Sequence, residues 1–178
     1  MYATDLIRHD AAAEILATGS WQLPTNHVSF LAEARPRARS RNRRRAPVVR
    51  GVLEVADDPR RTSLALSIRP ADGDAVLGRL LRDTDGPLVL HVAGLAPDER
   101  GDWSGRAHIE SATQCWPASL DVDYRGVYVS GERALAWFVL RCEIVTEAAR
   151  GLRRRRSIAV RVDLLAIAPE LDAVAIAA

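Results

Sequence analysis

The chain has 178 residues, of which 48% are apolar and 27% are charged, and its formal net charge is +2. This length fits a single hydrophobic core, and the apolar fraction is too high for a chain that is disordered throughout. The near-neutral charge predicts no general attraction to nucleic acid. No apolar run approaches the ~20 residues of a membrane helix, and the first thirty residues do not resemble a secretion signal. We therefore expect a cytoplasmic protein.

The first segment, Thr4 to Ser20, is predicted to be helical. Asp10 can cap a helix, residues 11–16 favour one, and Gly19 can end it in the left-handed conformation. The segment has few apolar residues, so we expect it to pack on the outside of a larger domain.

After Trp21 the apolar residues recur with period two, which is typical of half-buried strands. Leu64, Leu66 and Ile68 fall on one face of such a strand, and residues 120–126 alternate in the same way. Gly126 is interpreted as a β-bulge. Further strands are predicted at His27 to Ala34, Val48 to Val55, Leu88 to Val92, Asp102 to Ile109, Ala134 to Ile144 and Ser157 to Val162.

Turn signals separate these strands at short intervals, as at Asp57-Asp58-Pro59 and Asp85-Gly86-Pro87. Eight or so short strands joined in this way indicate a sandwich or a barrel. One helical insertion is predicted near residues 74–82. Asp74 can cap it, and we expect it to close an open end of the fold with one apolar face, formed by Val76, Leu77, Leu80 and Leu81.

An arginine-rich run from Arg35 to Arg45 is the strongest local anomaly, with seven arginines in eleven residues. It is interpreted either as a solvated loop between two strands or as a contact for an anionic surface through Arg41, Arg43 and Arg44. Arg153 to Arg156 would extend the same patch. No aromatic residue lies between Leu31 and Leu53 to stack on bases, which disfavours nucleic acid as the partner.

No catalytic, metal or cofactor site is predicted. The four histidines and two cysteines show no ligand spacing, and the chain has no GxSxG, no phosphate-binding loop and no GxGxxG. Asp121 and Asp123 share one strand face and are interpreted as solvated. We therefore expect that the protein is not an enzyme.

The aromatic residues are concentrated in the second half of the chain. They either line a cavity for a long apolar ligand or fill a solid core, and the sequence leaves both readings open. They are Trp103, Trp116, Tyr124, Tyr128, Trp137 and Phe138.

The order of these features resembles the YceI-like family of lipocalin-like barrels. Trp21 and His27 keep the family's opening spacing, residues 51–55 match its G-x-L-x-V strand, and Arg82-Asp83 corresponds to its Arg-Asp pair. Trp103-Ser104-Gly105 and the closing strand ending at Pro169 also fit. The resemblance covers about Trp21 to Pro169. It implies a barrel that holds a polyisoprenoid or similar amphiphile, often as a homodimer.

The combined prediction is an all-β protein, a single antiparallel lipocalin-like barrel with a short N-terminal helix and the insertion near residues 74–82. Its parts are a helical extension (residues 1–20), the barrel (21–169) and a tail (170–178). Its predicted function is to bind or carry a lipid-like or isoprenoid amphiphile without a cofactor. The alternative is an arginine-rich module that contacts membrane lipid transiently, RNA or an acidic protein. The predicted ligand-binding residues are Leu64, Leu66, Ile68, Leu77, Leu80, Leu81, Arg82, Val122, Tyr124 and Phe138, with Arg82 at the headgroup.

Overall fold

The computed structural model describes residues 7–8, 16–35, 43–46, 48–70, 76–77, 86–130, 133–146 and 156–169. Two 3-10 turns, Thr25–His27 and Pro59–Arg61, lie between strands. The strands in these ranges are β1 (Ile7–Arg8), β2 (Gly19–Gln22), β3 (Val28–Arg35), β4 (Arg43–Ala46), β5 (Val48–Val55), β6 (Ser63–Ile68), β7 (Leu88–Pro97), β8 (Trp103–Glu110), β9 (Cys115–Ser130), β10 (Arg133–Thr146) and β11 (Arg156–Ile167).

These strands form a closed, eight-stranded antiparallel barrel, which confirms the predicted β architecture. From β5 to β11 each strand pairs with the next in the chain. β2 and β3 together form one wall strand and β4 and β5 form the next, because each pair is only briefly interrupted. β11 pairs with β3 along most of its length and with β2 at Ile167, so the ring closes.

Alternation along the strands turns apolar side chains toward the interior. In β6 the side chains alternate between half-buried and buried, and Leu64, Leu66 and Ile68 are the buried set. Trp21, Phe30 and Phe138 are the largest of the fully buried side chains. Since burying such a residue contributes about 1.5–3 kcal/mol, this interior is the main source of stability.

Two glycines shape the wall of the barrel. A Cβ atom on Gly51 would lie 2.9 Å from Leu66 and 3.0 Å from Leu23, so this position of β5 leaves room for two core leucines. At Gly126 the predicted bulge is confirmed. Trp137 pairs with Gly126 and Phe138 pairs with Tyr124, so one residue of β9 has no counterpart, and Gly126 has a φ of 101° that favours glycine.

The predicted helices are not supported. Ile7 and Arg8 pair as a strand with Val129 and Tyr128, and β2 begins at Gly19. The strand partners supplied by β9 and β5 outweigh local helix propensity here. In the insertion, Val76 lies in a turn and Leu77 in a single 3-10 position, and both are buried. Residues 1–6 and 9–15, the rest of the insertion and the tail from residue 170 lie outside the described residues.

Part of the arginine-rich run, which is predicted to be a loop, forms a strand. Arg43, Arg44 and Arg45 belong to β4, where they pair with Glu33, Ala32 and Leu31 of β3. Only residues 36–42, with Arg41 among them, lie outside the described residues at this point. No helix in the described ranges has the length and apolar character needed to cross a membrane.

Candidate functional site

The barrel wall has a seam between β8 and β9. These strands pair only between Ala107–Glu110 and Cys115–Ala118, next to the turn that joins them. Beyond Ala118 no described strand pairs with this side of β9 until β1 pairs with Tyr128 and Val129. The seam therefore runs along β9 from Ser119 to Val127. Continuing the β8–β9 register places Trp103 to Arg106 of β8 beside its first part, Ser119 to Val122.

Inward side chains next to the seam are only half-buried, although they are apolar. They are Trp116, Ala118, Leu120, Val122 and Tyr124, all on β9 and all packed against the core. Directly opposite on β10, Phe138, Leu140, Cys142 and Ile144 are at most 3% exposed. Among the described residues, the inward side chains are therefore fully buried along β10 and partly exposed along β9.

A cluster of three aromatic rings lies at this seam. The ring centroids of Trp103 and Tyr124 are 4.6 Å apart, those of Tyr124 and Phe138 are 4.8 Å apart, and those of Trp103 and Phe138 are 5.2 Å apart. The Trp103–Phe138 pair is edge to face, which is one of the arrangements that aromatic rings prefer. Trp103 is half-buried and Phe138 is fully buried, so the cluster connects the surface with the core.

Gly105 brings the walls of the seam close together. A Cβ atom here would lie 3.1 Å from Val92, 3.2 Å from the Ala93 carbonyl oxygen and 3.3 Å from Leu120 across the seam. The side chain of Leu120 therefore lies against the bare backbone of β8. This contact is between side chain and backbone atoms, which can separate without breaking a ladder of hydrogen bonds.

The predicted ligand-binding residues lie in different places. Those on β6 and β10, together with Leu77, are deeply buried: Leu64, Leu66, Ile68, Leu77 and Phe138. Val122 and Tyr124 are half-buried at the seam. Leu80, Leu81 and Arg82 lie outside the described residues, as does Arg41, and Arg43 and Arg44 are described only as members of β4.

Leu120 and Trp103 lie at the seam but are not among the predicted ligand-binding residues. Leu120 has the same strand parity as Val122 and Tyr124, so alternation could have included it. Trp103 could have been included from its place among the late aromatic residues. The seam itself has no sequence signal, because it depends on where a ladder of hydrogen bonds ends.

The outer face opposite the seam residues is charged. Asp121 and Asp123 point outward, as predicted, and Arg141 lies 3.1 Å from Asp121 and 3.6 Å from Asp123. On β11, Arg161 donates hydrogen bonds to Asp163, and this bond raises the pKa of Arg161. An open groove of about 430 Å³ on this face is lined partly by Arg141 and Arg161. Its charges make it a poor site for an apolar chain.

The two cysteines have opposite environments. Cys142 lies on β10 and faces the interior of the barrel, and burial raises the pKa of its thiol to about 12. Cys115 is exposed at the start of β9, and neither cysteine is in a disulfide. Cys142 is therefore a packing residue with an inert, protonated thiol, because only the thiolate is nucleophilic.

Comparison with known proteins adds no assignment. The sequence matches no protein-family model, and no curated protein is significantly similar to it. The resemblance to the YceI-like family therefore stays a prediction that rests on the residues named above.

Proposed function

We propose that the protein binds a lipid-like or isoprenoid amphiphile in the barrel interior and admits it through the seam between β8 and β9. The observation that carries the proposal is the row of half-buried apolar side chains on β9, which continues past the end of the β8–β9 ladder. Small-molecule sites are lined mostly by apolar and aromatic side chains. Leu120, Val122, Tyr124 and Trp103 are of that kind.

Energetics favour a long apolar chain as the ligand. Each methylene transferred from water to the interior contributes about 0.8 kcal/mol, from which the cost of ordering the chain is subtracted. The seam side chains already lie at the boundary between core and solvent, so a ligand that covers them also removes their own apolar surface from water. No catalytic group takes part in such binding.

The test uses doxyl-labelled stearic acid, whose nitroxide quenches tryptophan fluorescence at short range. We expect saturable quenching of the wild-type protein and loss of most of it in Trp103→Phe. The matched control is Trp137→Phe, since Trp137 lies on the outer face and is 38% exposed. Quenching that persists in Trp103→Phe and disappears in Trp137→Phe would place the ligand outside the barrel and overturn the proposal.

A second pair of variants tests the entry route. Leu120→Glu puts a charge into the seam, whereas Ser119→Glu puts the same charge on the outer face one residue earlier. We expect the first variant to abolish binding of the labelled fatty acid and of a fluorescent farnesol analogue, and the second to leave both unchanged. Equal effects of the two variants would contradict entry at the seam. The relative affinity for the two probes then identifies the preferred chain.

One observation favours the second candidate function, an arginine-rich contact for an anionic surface. Arg35, the last residue of β3, pairs with Ser157. Arg156, the first residue of β11, pairs with Thr146, the last residue of β10. The strands that lead into the two arginine-rich segments therefore meet at one end of the barrel. Charge reversal at Arg41, Arg43 and Arg44 is expected to abolish binding to vesicles containing phosphatidylserine at low salt. Unchanged vesicle binding would contradict this function.

A further inference from the structure

Two histidines meet on the outer face of the barrel, away from the seam side chains. His91 of β7 and His108 of β8 are direct partners in the antiparallel ladder. Their rings are stacked, with centroids 4.9 Å apart and an angle of 20° between the ring planes. Their separation along the chain gives no motif, so the pair is visible only through the register of the two strands.

Glu110 completes a group of three potential metal ligands. Its Oε1 lies 2.8 Å from Nε2 of His91, and its Oε2 lies 3.8 Å from Nε2 of His108. One ligand atom from each of the three residues lies within 4.8 Å of the others. Ligand atoms around a tetrahedral Zn²⁺ are about 3.3 Å apart, as follows from bonds of about 2.0–2.1 Å. Small side-chain rotations would therefore bring all three atoms onto one ion.

The backbone that carries these residues is rigid. Leu90, Val92 and Ile109 alternate with them along β7 and β8, point inward and are at most 1% exposed. The ladder also keeps His91 opposite His108, where facing Cβ atoms are typically about 4.5–5.5 Å apart. The three side chains are between 36% and 42% exposed. An ion from solvent can therefore reach them without opening the fold.

From this geometry we infer that His91, His108 and Glu110 form a binding site for a divalent transition-metal ion, with Zn²⁺ as the best match. Two imidazoles and one carboxylate are a ligand set that Zn²⁺ uses with a fourth position left open. The same ligands suit Cu²⁺ and Ni²⁺, and their order of affinity follows the general series for such ions. A bound ion would join β7 to β8 from outside, and this site is independent of the proposed ligand in the interior.

Cys115 is another candidate metal ligand, and the experiment has to distinguish its contribution from that of the two histidines. It pairs with Glu110 across the β8–β9 ladder and is exposed. A thiolate is a strong ligand for Zn²⁺ and could bind the ion without the histidines. The titrations are therefore made on the full chain both as wild type and as Cys115→Ser.

The test is isothermal titration of both proteins with zinc sulfate in a buffer free of chelators. We expect one Zn²⁺ per chain in both. In the Cys115→Ser background, His91→Ala, His108→Ala and Glu110→Gln should each weaken binding more than about tenfold, since even outer-shell partners of a metal contribute 10- to 100-fold. The matched control is Asp121→Asn, which removes an exposed carboxylate from β9 and should leave the affinity unchanged. Circular dichroism verifies that each variant is folded.

Three outcomes of the zinc titrations would overturn the inference. They are the absence of Zn²⁺ binding by wild type, binding that is unaffected by His91→Ala and His108→Ala, and loss of binding on Cys115→Ser alone. Titration with Co²⁺ supplies a spectroscopic readout. In the Cys115→Ser protein we expect the visible bands of a four- or five-coordinate ion and no thiolate charge-transfer band. A charge-transfer band in this protein would indicate Cys142 as a ligand and contradict the assignment.

Discussion

The inward faces of β9 and β10 carry similar apolar side chains and differ in burial. Leu140 of β10 is fully buried, whereas Leu120 of β9, two positions away across the ladder, is half-buried. β10 is paired along its length by β9 on one side and β11 on the other, but β9 loses β8 after Ala118. Alternation therefore decides which way a side chain points, but it does not decide how completely that side chain is buried.

The largest expected effect tests this difference with the same substitution on both strands. Leu140→Ala should lower the free energy of unfolding by about 2–5 kcal/mol, the range for deleting a buried leucine side chain. Leu120→Ala should cost only about 1 kcal/mol, because the half-buried side chain loses less contact on truncation. Urea denaturation followed by circular dichroism measures both values. Equal losses would mean that the two strands are equally buried.

A glycine at the seam provides the next test. Gly105→Ala places a methyl group against the Ala93 carbonyl and Leu120, and we expect a loss of about 1–3 kcal/mol from overpacking. Gly86→Ala is the control, because nothing lies within 4 Å of its added Cβ. Its effect should stay within about 0.5 kcal/mol. A neutral Gly105→Ala variant would indicate that Val92, Ala93 and Leu120 shift to accommodate the methyl group.

The two cysteines extend the comparison to alkaline pH. The folded protein holds the Cys142 proton up to about pH 12, whereas the unfolded chain releases it near the ordinary pKa of 9.0. The contribution of this thiol is therefore fully present below pH 9 and falls above it, by about 1.4 kcal/mol per pH unit. Between pH 8 and pH 10, Cys142→Ala should lose less stability than wild type, as measured by denaturant midpoints.

Cys115→Ser is the control for that experiment, since Cys115 is exposed on β9. It should show the pH dependence of the wild-type protein. An identical pH dependence in Cys142→Ala would mean that the interior beside β10 is open to water, which would remove the difference between the two strands.

The smallest effect is expected on the outer faces of the same strands. Arg141→Ala removes the ion pairs with Asp121 and Asp123, and exposed pairs contribute only about 0.2–1 kcal/mol. The loss should shrink further in about 1 M salt, where the screening length is about 3 Å. Val139 also faces outward beside this network and is 1% exposed. A loss that does not respond to salt would show that Arg141 stabilises the fold by packing and not by its ion pairs.

Period-two alternation predicted the direction of side chains well. Leu64, Leu66 and Ile68 point inward, Asp121 and Asp123 point outward, and Gly126 marks a bulge, all as the sequence indicates. The helix over Thr4 to Ser20 was predicted from local propensity alone. It failed at Ile7 and Arg8, where a partner strand distant in the chain supplies the hydrogen bonds.

The candidate sites depend on register, which single-strand patterns do not contain. The seam exists because the β8–β9 ladder ends after Ala118, and no residue type at that position indicates that the ladder ends there. His91 and His108 become neighbours only when β7 and β8 pair in one register, since a shift of one residue would place the two rings on opposite faces of the sheet. Both features therefore required the three-dimensional structure.

The side of β9 that no described strand pairs with, from Ser119 to Val127, also bears on how the chain avoids aggregation. Exposed strand edges are templates on which other chains can add a strand, and proteins protect them with charged side chains and bulges. β9 carries both devices, since Asp121 and Asp123 project along this stretch and the bulge at Gly126 twists its far end. The charged side chains and the bulge thus hinder intermolecular β-sheet growth along the seam.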